Sequence, residues 1–315
     1  MNSTDELHVI FGTGPLGLSV ARALQRRSHR VRLVNRGGKA DVPAGAELLA
    51  ADVFDMNEMD VLCSGATTVY QCANPPYHRW PEEFPPLQGV ILDAAARAGA
   101  RLVIADNVYA YGDPDGRLLV EDMPYNAATR KGRTRAMMAE AAMEAHAEGL
   151  LSVTIGRGSD FFGPGVILSA MGERAIAPVL RGKAASLLGD IDLPHTYTFI
   201  DDFGEALVRL GENEDAFGRV WHVPNAPAVS SREFMTLVCE EAGQAPRMQR
   251  AGRGMMRFFG LFSSGAREMV EMMYEFEKPF VVDSTRFETA FGMRATALRD
   301  AIAATVAWYR ARKHA

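Results

Sequence analysis

The spacing that most clearly suggests chemistry in this chain is that of three glycines near its start, in the sequence LHVIFGTGPLG. Gly12, Gly14 and Gly17 form the pattern GxGxxG between an apolar run at residues 7–11 and a helical run at residues 16–27. In such a turn the first glycine permits a tight bend and the second lets the backbone approach a pyrophosphate. The third lets the helix pack closely on the strand. The pattern predicts a dinucleotide-binding turn, and the alternative is a plain strand–helix turn.

The expected cofactor contacts extend from this turn to the next two strands. Phosphate would lie over the N-terminus of the first helix, whose backbone N–H groups and dipole favour anions. The expected turn residues are Gly12, Thr13, Gly14, Pro15, Leu16 and Gly17. After strand three, Asp52 and Val53 are expected at the adenine. The alternative for Asp52 is the N-cap of the following helix.

The residues at the end of strand two, in VRLVNR, indicate whether the cofactor is NADP(H) or NAD(H). Asn35 and Arg36 stand where an NAD site usually offers an acid to the ribose 2′-hydroxyl. A guanidinium matches a 2′-phosphate in charge and geometry, whereas a carboxylate would repel it. We therefore predict NADP(H) in preference to NAD(H). The alternative is that Arg36 is simply solvated at a strand end.

The composition argues against a nucleic-acid-binding protein, a membrane protein and a cysteine-based metal site. The chain has 315 residues, 48% hydrophobic and 23% charged, with a net charge of −5. This ordinary balance argues against a nucleic-acid partner. We find neither a signal pattern nor a membrane-length apolar run, so we expect a cytoplasmic protein without a membrane partner. The odd number of cysteines lacks CxxC spacing, so we predict no metal site and expect buried thiols.

The order of apolar and helical runs predicts the fold class. Short apolar strands alternate with helical patterns, which is typical of a Rossmann-type, doubly wound parallel sheet in an α/β fold. We expect an NAD(P)-binding domain over residues 1–162. A smaller C-terminal substrate-side region is expected over residues 163–315, with some segments returning to the Rossmann core. The predicted strands are residues 7–11, 30–34, 47–51, 67–72, 101–105, 151–155, 196–200 and 219–223, and the predicted helices are 16–27, 57–62, 87–98, 134–148 and 297–310.

Several short motifs, in register over nearly the whole chain, resemble the extended short-chain dehydrogenase/reductase family of the NAD(P)-dependent epimerase/dehydratase type. They are GTGPLG, ADVFD, VYQCANPP, DNVYAYG, IGRGSDFFGPG and TFIDDFGEAL. The resemblance implies a nucleotide loop at GTGPLG, an adenine contact at ADVFD and a cofactor contact at Ala73, after strand four. It also implies an NAD(P)-dependent oxidoreductase or epimerase acting on a small carbonyl or alcohol substrate.

The active-site helix departs from the family pattern. Family enzymes use a tyrosine, which exchanges the substrate proton, and a lysine four residues later, which lowers the tyrosine pKa and holds the nicotinamide ribose. Alignment of KGRTRAMMAE by its helix and its terminal glutamate places Lys131 at the tyrosine position and Arg135 at the lysine position. Asn107 falls where the family carries serine or threonine. The resemblance therefore implies a rebuilt acid/base site of Asn107, Tyr109, Lys131 and Arg135, with Arg135 also holding the ribose.

Three functions stay open from the sequence. The first is the NADP(H)-dependent enzyme, in which Lys131 or a nearby tyrosine carries the proton. A lysine can do so only if burial or a neighbouring cation lowers its pKa from about 10.4. The second is a redox sensor that binds the cofactor without hydride transfer, which the missing tyrosine favours. The third is a non-redox isomerase or cyclase. If Lys131 has no acid/base role, Lys131 and Arg135 form a cationic helix face.

The remaining candidate residues lie in the second half of the chain or in loops. The run at residues 254–280 is rich in methionine and aromatic residues, and it suggests core packing, a pocket for an apolar or aromatic substrate, or the surface of a homodimer. His78 and His195 are expected at the surface. Arg157 and Asp160 are expected either to shape the pocket or to take part in an ion pair at the strand end.

Overall fold

The computed structural model describes residues 6–261 and 264–312 and divides them into two compact units. The first unit contains the described residues up to Ala110, together with Arg130–Arg157 and Phe203–Val223. The second contains Tyr111–Thr129, Gly158–Asp202 and the described residues from Pro224 onward. The units therefore alternate along the chain, with Phe203–Val223 returning to the first unit after the expected boundary at residue 162.

The strands and helices are numbered in chain order. The strands are β1 (Leu7–Phe11), β2 (Arg30–Asn35), β3 (Glu47–Ala50), β4 (Ala66–Gln71), β5 (Arg101–Asn107), β6 (Val153–Gly158), β7 (Asp160–Phe162), β8 (Ala185–Leu188), β9 (Pro194–His195), β10 (Tyr197–Phe199), β11 (Val220–His222), β12 (Val229–Ser230) and β13 (Met248–Ala251). The helices are α1 (Pro15–Arg26), α2 (Met56–Cys63), α3 (Trp80–Arg97), α4 (Arg130–Ala147), α5 (Glu173–Val179), α6 (Ile200–Glu212), α7 (Ser231–Ala242), α8 (Arg253–Gly260), α9 (Ser264–Val270), α10 (Thr285–Phe291) and α11 (Leu298–Arg312).

The first unit is built on a parallel sheet. Within the described residues this sheet has seven strands, in the order β11-β6-β5-β4-β1-β2-β3. β1 pairs in parallel with β2 on one side and with β4 on the other, and all five of its residues are buried. Strands covered on both faces read as continuous apolar runs, which is why the sequence pattern identified them. The predicted Rossmann-type sheet is confirmed, and its strand order reverses between β1 and β4, where such folds bind nucleotides.

Helix α3 begins seven residues earlier than the sequence pattern predicts. It starts at Trp80, although Pro81, Pro85 and Pro86 follow within two turns. Pro81 lies in the first turn, where a missing N–H costs nothing, whereas the two later prolines each remove one backbone hydrogen bond. Trp80 and Phe84 are buried at 3% and 1% exposure, and this burial stabilises the irregular first turns.

The second unit contains two-stranded pairs and helices around its own core. β10 pairs with β7, β12 with β9, and β13 with β8. α5, α7 and α11 supply buried side chains to one hydrophobic cluster, in which Phe162 and Phe234 meet edge to face at 4.9 Å. The Tyr309 hydroxyl donates to the Val166 carbonyl at 2.8 Å, which fixes α11 to this core.

The methionine-rich run divides between core and surface. Met272 and Met273 are fully buried, whereas Met255, Phe258 and Leu261 are 49%, 60% and 71% exposed. Residues 262–263 of this run lie outside the described residues. In the described part of the chain, no helix combines the length and apolar character needed to cross a lipid bilayer.

Candidate functional site

The glycine turn after β1 has the geometry of a phosphate cradle. Gly12 adopts a φ of +106°, which favours glycine, and a Cβ there would lie 2.7 Å from the Ala73 nitrogen. A Cβ on Gly17 would lie 2.0 Å from the Gly12 carbonyl oxygen, so this residue must be glycine for α1 to pack. Around Gly14, in contrast, the described residues beyond its chain neighbours place no atom within 4 Å of an added Cβ. Two glycines are therefore required by the fold, and the third faces open space.

The N-terminus of α1 leaves its first turn available to a ligand. Gly14 is the N-cap and makes no side-chain cap hydrogen bond, and Pro15 begins the helix. A helix of 12 residues that begins beside an open glycine fits a pyrophosphate. Thr13, Leu16 and Ala73 are half-buried around this cradle. The described residues thus fit the phosphates of a dinucleotide.

We predict that Gly14→Val weakens NADPH binding by about 100-fold or more while the protein stays folded, because the side chain would enter the phosphate space and meets no protein atom. The measurement is fluorescence titration of NADPH, with thermal unfolding to check the fold. Gly89→Ala is the matched control, because its Cβ also meets no protein atom within 4 Å and it lies in the middle of α3. Undiminished NADPH binding by Gly14→Val would contradict the phosphate assignment.

Asn35 organises the loop that carries Arg36. Its side-chain oxygen accepts hydrogen bonds from the N–H groups of Gly37 and Gly38 at 3.0 and 2.6 Å. Its side-chain amide donates to the Thr13 hydroxyl at 2.7 Å and so ties this loop to the glycine turn. Arg36 itself is exposed. Asn35 therefore has an evident structural role, and Arg36 is an exposed cation of this loop that can reach a ligand.

Asp52 is not the N-cap of α2. Its carboxylate accepts from the Phe54 N–H at 3.1 Å, and the carboxylate three residues later, on Asp55, accepts from the Glu58 N–H at 3.2 Å. Asp55, and not Asp52, is therefore the N-cap of this helix. Asp52 is exposed and Val53 is half-buried beside it. Their contact with adenine stays a prediction.

A buried charged group joins β5, β6 and α4. Asp106 lies 2.8 Å from Arg157 Nε and 3.3 Å from Arg135 Nη1, and Arg157 is completely buried. Arg157 thus forms an ion pair at the strand end, but its partner is a carboxylate 51 residues earlier in the chain and not a nearby one. The two guanidinium groups and one carboxylate leave a net positive charge.

Arg135 is enclosed by aromatic rings as well as by Asp106. Its guanidinium carbon lies 4.4 Å from the centre of the Trp80 ring and 4.1 Å from that of Phe84. Burial lowers the pKa of Arg135, and the charge of Asp106 partly offsets this effect. Among the described residues, its Nε has no hydrogen-bond partner. One buried donor thus remains for a ligand, and the predicted ribose contact stays a prediction.

Lys131 lies beside two tyrosines. It is 1% exposed, and its Nζ lies 4.4 Å from the centre of the Tyr77 ring. The Tyr77 hydroxyl donates to the Tyr109 hydroxyl at 3.4 Å. Asn107 accepts from the Tyr109 N–H at 3.1 Å and holds the start of the turn that carries this tyrosine. An ammonium group and two phenols therefore form one cluster in the first unit.

The sequence did not single out Tyr77 as a site residue. Its contact with Lys131 joins positions 54 residues apart, and no local spacing predicts it. The aromatic density of PPYHRW was the available signal. Trp80 contacts both Tyr77 and Tyr109, at centroid distances of 4.9 and 6.1 Å, and was also missed.

His195 is buried in the second unit, where the sequence analysis expected a surface residue. It is 3% exposed, its Nε2 lies 2.7 Å from Asp160, and its Nδ1 lies 3.2 Å from the Glu275 carbonyl oxygen. The Glu275 side chain is buried as well, and burial together with the charge of Asp160 raises its pKa well above the usual range. These residues form a polar group within the second unit.

A profile of the NAD dependent epimerase/dehydratase family matches residues 9–223 of the chain. The dTDP-glucose 4,6-dehydratase of Streptomyces griseus is 27% identical over 221 residues, which is 70% of this chain. The match spans 62% of the length of that dehydratase.

Solved structures show the same fold. An epimerase of Methanothermobacter thermautotrophicus has a TM-score of 0.82 at 13% identity, covering 98% of this chain and 94% of its own. UDP-glucuronic acid 4-epimerase from Bacillus cereus, solved in complex with NAD, has a TM-score of 0.77 at 15% identity and covers 96% of each chain. At such identities the likeness establishes the fold alone.

Proposed function

Because the chain belongs to the NAD dependent epimerase/dehydratase family, we propose that it is an enzyme that binds a nicotinamide dinucleotide and acts on a carbonyl or alcohol carbon. The observation that carries this proposal is the glycine turn, in which Gly12 and Gly17 are fixed by backbone contacts while Gly14 faces open space. A bound dinucleotide would supply hydride transfer there. The chain's own residues must then orient the substrate and move one proton.

Tyr109 is the proposed proton carrier. Its hydroxyl accepts a hydrogen bond from Tyr77, and Lys131 lies against the Tyr77 ring. A nearby cation favours the phenolate form of a tyrosine, as the lysine of family enzymes does. Lys131 would thus supply the charge, Tyr77 would hold the Tyr109 hydroxyl, and Asn107 would position its backbone. The positive charge shared by Arg135 and Arg157 adds to the same effect.

The substrate class follows from the relatives and from the second unit. The dehydratase is named for dTDP-glucose and the epimerase for UDP-glucuronic acid, so nucleotide sugars are the first compounds to test. Small apolar or aromatic carbonyl compounds are the second group, because the methionine-rich run suits such a pocket. The experiment is a screen in which alcohol compounds are incubated with oxidised cofactor and carbonyl compounds with reduced cofactor. The readouts are absorbance of the reduced cofactor at about 340 nm and chromatography of the products, because an epimerisation returns the hydride and leaves the absorbance unchanged. Turnover of one compound supports the proposal.

A redox sensor without hydride transfer is the second candidate function. One observation favours it: Lys131 and Arg135, which the resemblance aligns with the family's tyrosine and lysine, are 1% and 6% exposed, each against aromatic rings. Tight NADPH binding together with an inert screen would favour this function over the enzyme.

NADP(H) is the proposed cofactor. Arg36 is exposed in the loop that Asn35 ties to Thr13, and neither position offers a carboxylate. We predict that Arg36→Glu lowers the affinity for NADPH relative to NADH by about 10-fold or more, because a carboxylate repels the 2′-phosphate. Fluorescence titration of both cofactors measures the ratio. Arg30→Glu, at the other end of β2, is the control for the charge change. Wild-type protein that binds NADH as tightly as NADPH would contradict the proposal.

We propose the cytoplasm as the location and a homodimer as the assembly. Cys63, Cys72 and Cys239 are all free thiols, which is typical of a reducing compartment. Met255, Phe258 and Leu261 expose apolar side chains in or next to α8, and such a face suits a subunit contact. Light scattering measures the assembly.

A further inference from the structure

Two histidines and a glutamate meet at the amino ends of the parallel strands, whereas the glycine turn lies at the carboxyl end of β1. Glu6 directly precedes β1, His8 lies within it, and His29 directly precedes β2. Because β1 and β2 pair in parallel with Leu7 opposite Arg30, these three residues lie side by side at the amino ends of the two strands. One donor atom of each side chain lies within 4.8 Å of the other two. The sequence offers no metal motif here.

Each histidine has one ring nitrogen held by a polar neighbour and one that is not. His8 Nδ1 lies 3.4 Å from the Tyr70 hydroxyl, and His29 Nε2 lies 3.3 Å from Glu212. The opposite nitrogens, His8 Nε2 and His29 Nδ1, are buried without a hydrogen-bond partner among the described residues. Burying such a nitrogen unpaired costs folding free energy, so the arrangement favours a ligand for both.

The side chains of the cluster suit a metal ion. His8 is 1% exposed, and its ring lies 4.5 Å from that of His29 between centroids. Glu6 Oε2 lies 3.8 Å from His8 Nε2 and supplies a negative charge.

We propose that Glu6, His8 and His29 bind a divalent transition-metal ion, with Zn²⁺ as the preferred ion. The ligands are His8 Nε2, His29 Nδ1 and the Glu6 carboxylate, a set of two imidazoles and one carboxylate that zinc accepts, with water completing the coordination. Glu212 and Tyr70 hold the other nitrogens, as groups behind metal-bound histidines commonly do.

Binding would draw the three donor atoms together. Ligands at about 2.1 Å from a tetrahedral zinc are roughly 3.4 Å apart, whereas the donor atoms of the cluster lie within 4.8 Å of one another and those of Glu6 and His8 are 3.8 Å apart. The donor atoms therefore need to approach one another by about 1.4 Å at most. The Glu6 side chain is 47% exposed and can move, whereas His8 and His29 are 1% and 7% exposed.

The two arginines beside the cluster pair with other carboxylates, so the Glu6 carboxylate is available to a metal cation. The cluster opens into a cavity of about 470 Å³ whose lining includes Arg27 and Arg101. Arg27 pairs with Glu205 and Glu212, and Arg101 pairs with Glu214 at 3.1 Å. Both guanidinium charges are therefore compensated by other carboxylates, and the cavity has room for water ligands.

The proposed site is separate from the glycine turn. His8 and Gly12 are four residues apart along an extended strand, which is about 13 Å at roughly 3.3 Å per residue. The ion would not touch the cofactor phosphates. It would instead tie the start of β1 to the start of β2, which stabilises the folded chain in proportion to metal concentration.

Calorimetric titration of untagged, EDTA-treated protein with ZnCl₂ tests the proposal. We expect one ion per chain with a micromolar or lower Kd, and a visible absorption band when Co²⁺ replaces Zn²⁺. Glu6→Gln and His29→Gln together should weaken Zn²⁺ binding by about 30-fold or more, because two of three ligands are lost. Each single variant should weaken it less and keep the fold measurable by circular dichroism.

Glu47→Gln is the matched control, since Glu47 is 49% exposed, pairs with Arg32 and lies outside the lining of the cavity, and this variant should bind Zn²⁺ as the wild type does. Two outcomes would overturn the proposal. One is wild-type protein without stoichiometric binding at 100 µM Zn²⁺, a concentration about 100-fold above the expected Kd. The other is a folded double variant whose affinity is unchanged.

Discussion

Tyr109→Phe should lower kcat about 10²- to 10⁴-fold on any substrate that the wild type converts, because the change removes one hydroxyl and leaves the ring in place. The Tyr109 hydroxyl is the acceptor of the Tyr77 hydrogen bond, and Asn107 holds its backbone. Cofactor affinity should stay within a few-fold of wild type, because the hydroxyl is proposed to act on the proton alone. Steady-state kinetics and NADPH titration measure the two quantities.

Lys131→Met tests the proposed division of roles in this cluster. The variant keeps the length of the side chain and removes its charge, so the phenol should lose its nearby cation. We expect the pH–rate profile to move to higher pH, with part of the activity restored in alkaline buffer. A merely structural lysine would leave the profile in place and change only stability.

Tyr125→Phe is the control for the loss of a phenol. Tyr125 is half-buried, its ring contacts Tyr111 at 5.8 Å, and it has no proposed role in chemistry. Its replacement should leave kcat unchanged. If Tyr109→Phe and Lys131→Met both keep full activity, the proton comes from another group and the assignment is wrong.

Asp106→Asn should lower the free energy of unfolding by about 3–5 kcal/mol, because it leaves the charges of Arg135 and Arg157 buried without a counter-ion. Asp106 is 5% exposed and contacts both guanidinium groups. Amide and carboxylate have nearly the same shape, so packing is preserved and the charge is the main change. Urea and thermal unfolding, each followed by circular dichroism, measure the loss.

Asp60→Asn is the matched control for this prediction. Asp60 makes a 2.6 Å ion pair with Arg97, but the carboxylate is 55% exposed. Exposed pairs of this kind contribute about 1 kcal/mol or less. Equal losses in the two variants would show that the buried group of three charges is not the stabilising element inferred from its geometry.

The sheet could be predicted from the sequence because its strands are buried on both faces. β1 was predicted with its observed bounds, since each residue of LHVIF is buried and the glycine turn marks its end. The start of α3 could not be predicted, because Pro81, Pro85 and Pro86 are signals for a loop. The burial of Trp80 and Phe84 outweighs that local preference, and burial is a property of the folded chain.

The polar groups were less predictable than the strands. The glycine turn has a fixed local spacing, so the sequence locates it. Arg157 and Asp106, or His8 and His29, come together only when parallel strands align residues far apart in the chain. His195 shows the same limit, because its partner Asp160 lies 35 residues earlier and nothing near His195 marks it as buried. Local patterns predict turns and strands, whereas pairings across the sheet require the fold.

Hydride transfer by this chain is tested most directly with NADPH that carries deuterium at C4 of the nicotinamide. The labelled NADPH is incubated with keto forms of nucleotide sugars and with apolar or aromatic carbonyl compounds, each of which offers a carbonyl carbon to the deuteride, and mass spectrometry measures deuterium in the products. We expect label in the product of at least one compound with the wild type, and about 10²-fold less or lower with Tyr109→Phe. Wild-type protein that binds NADPH tightly and transfers no deuterium to any compound would contradict the proposed enzyme and favour a sensor.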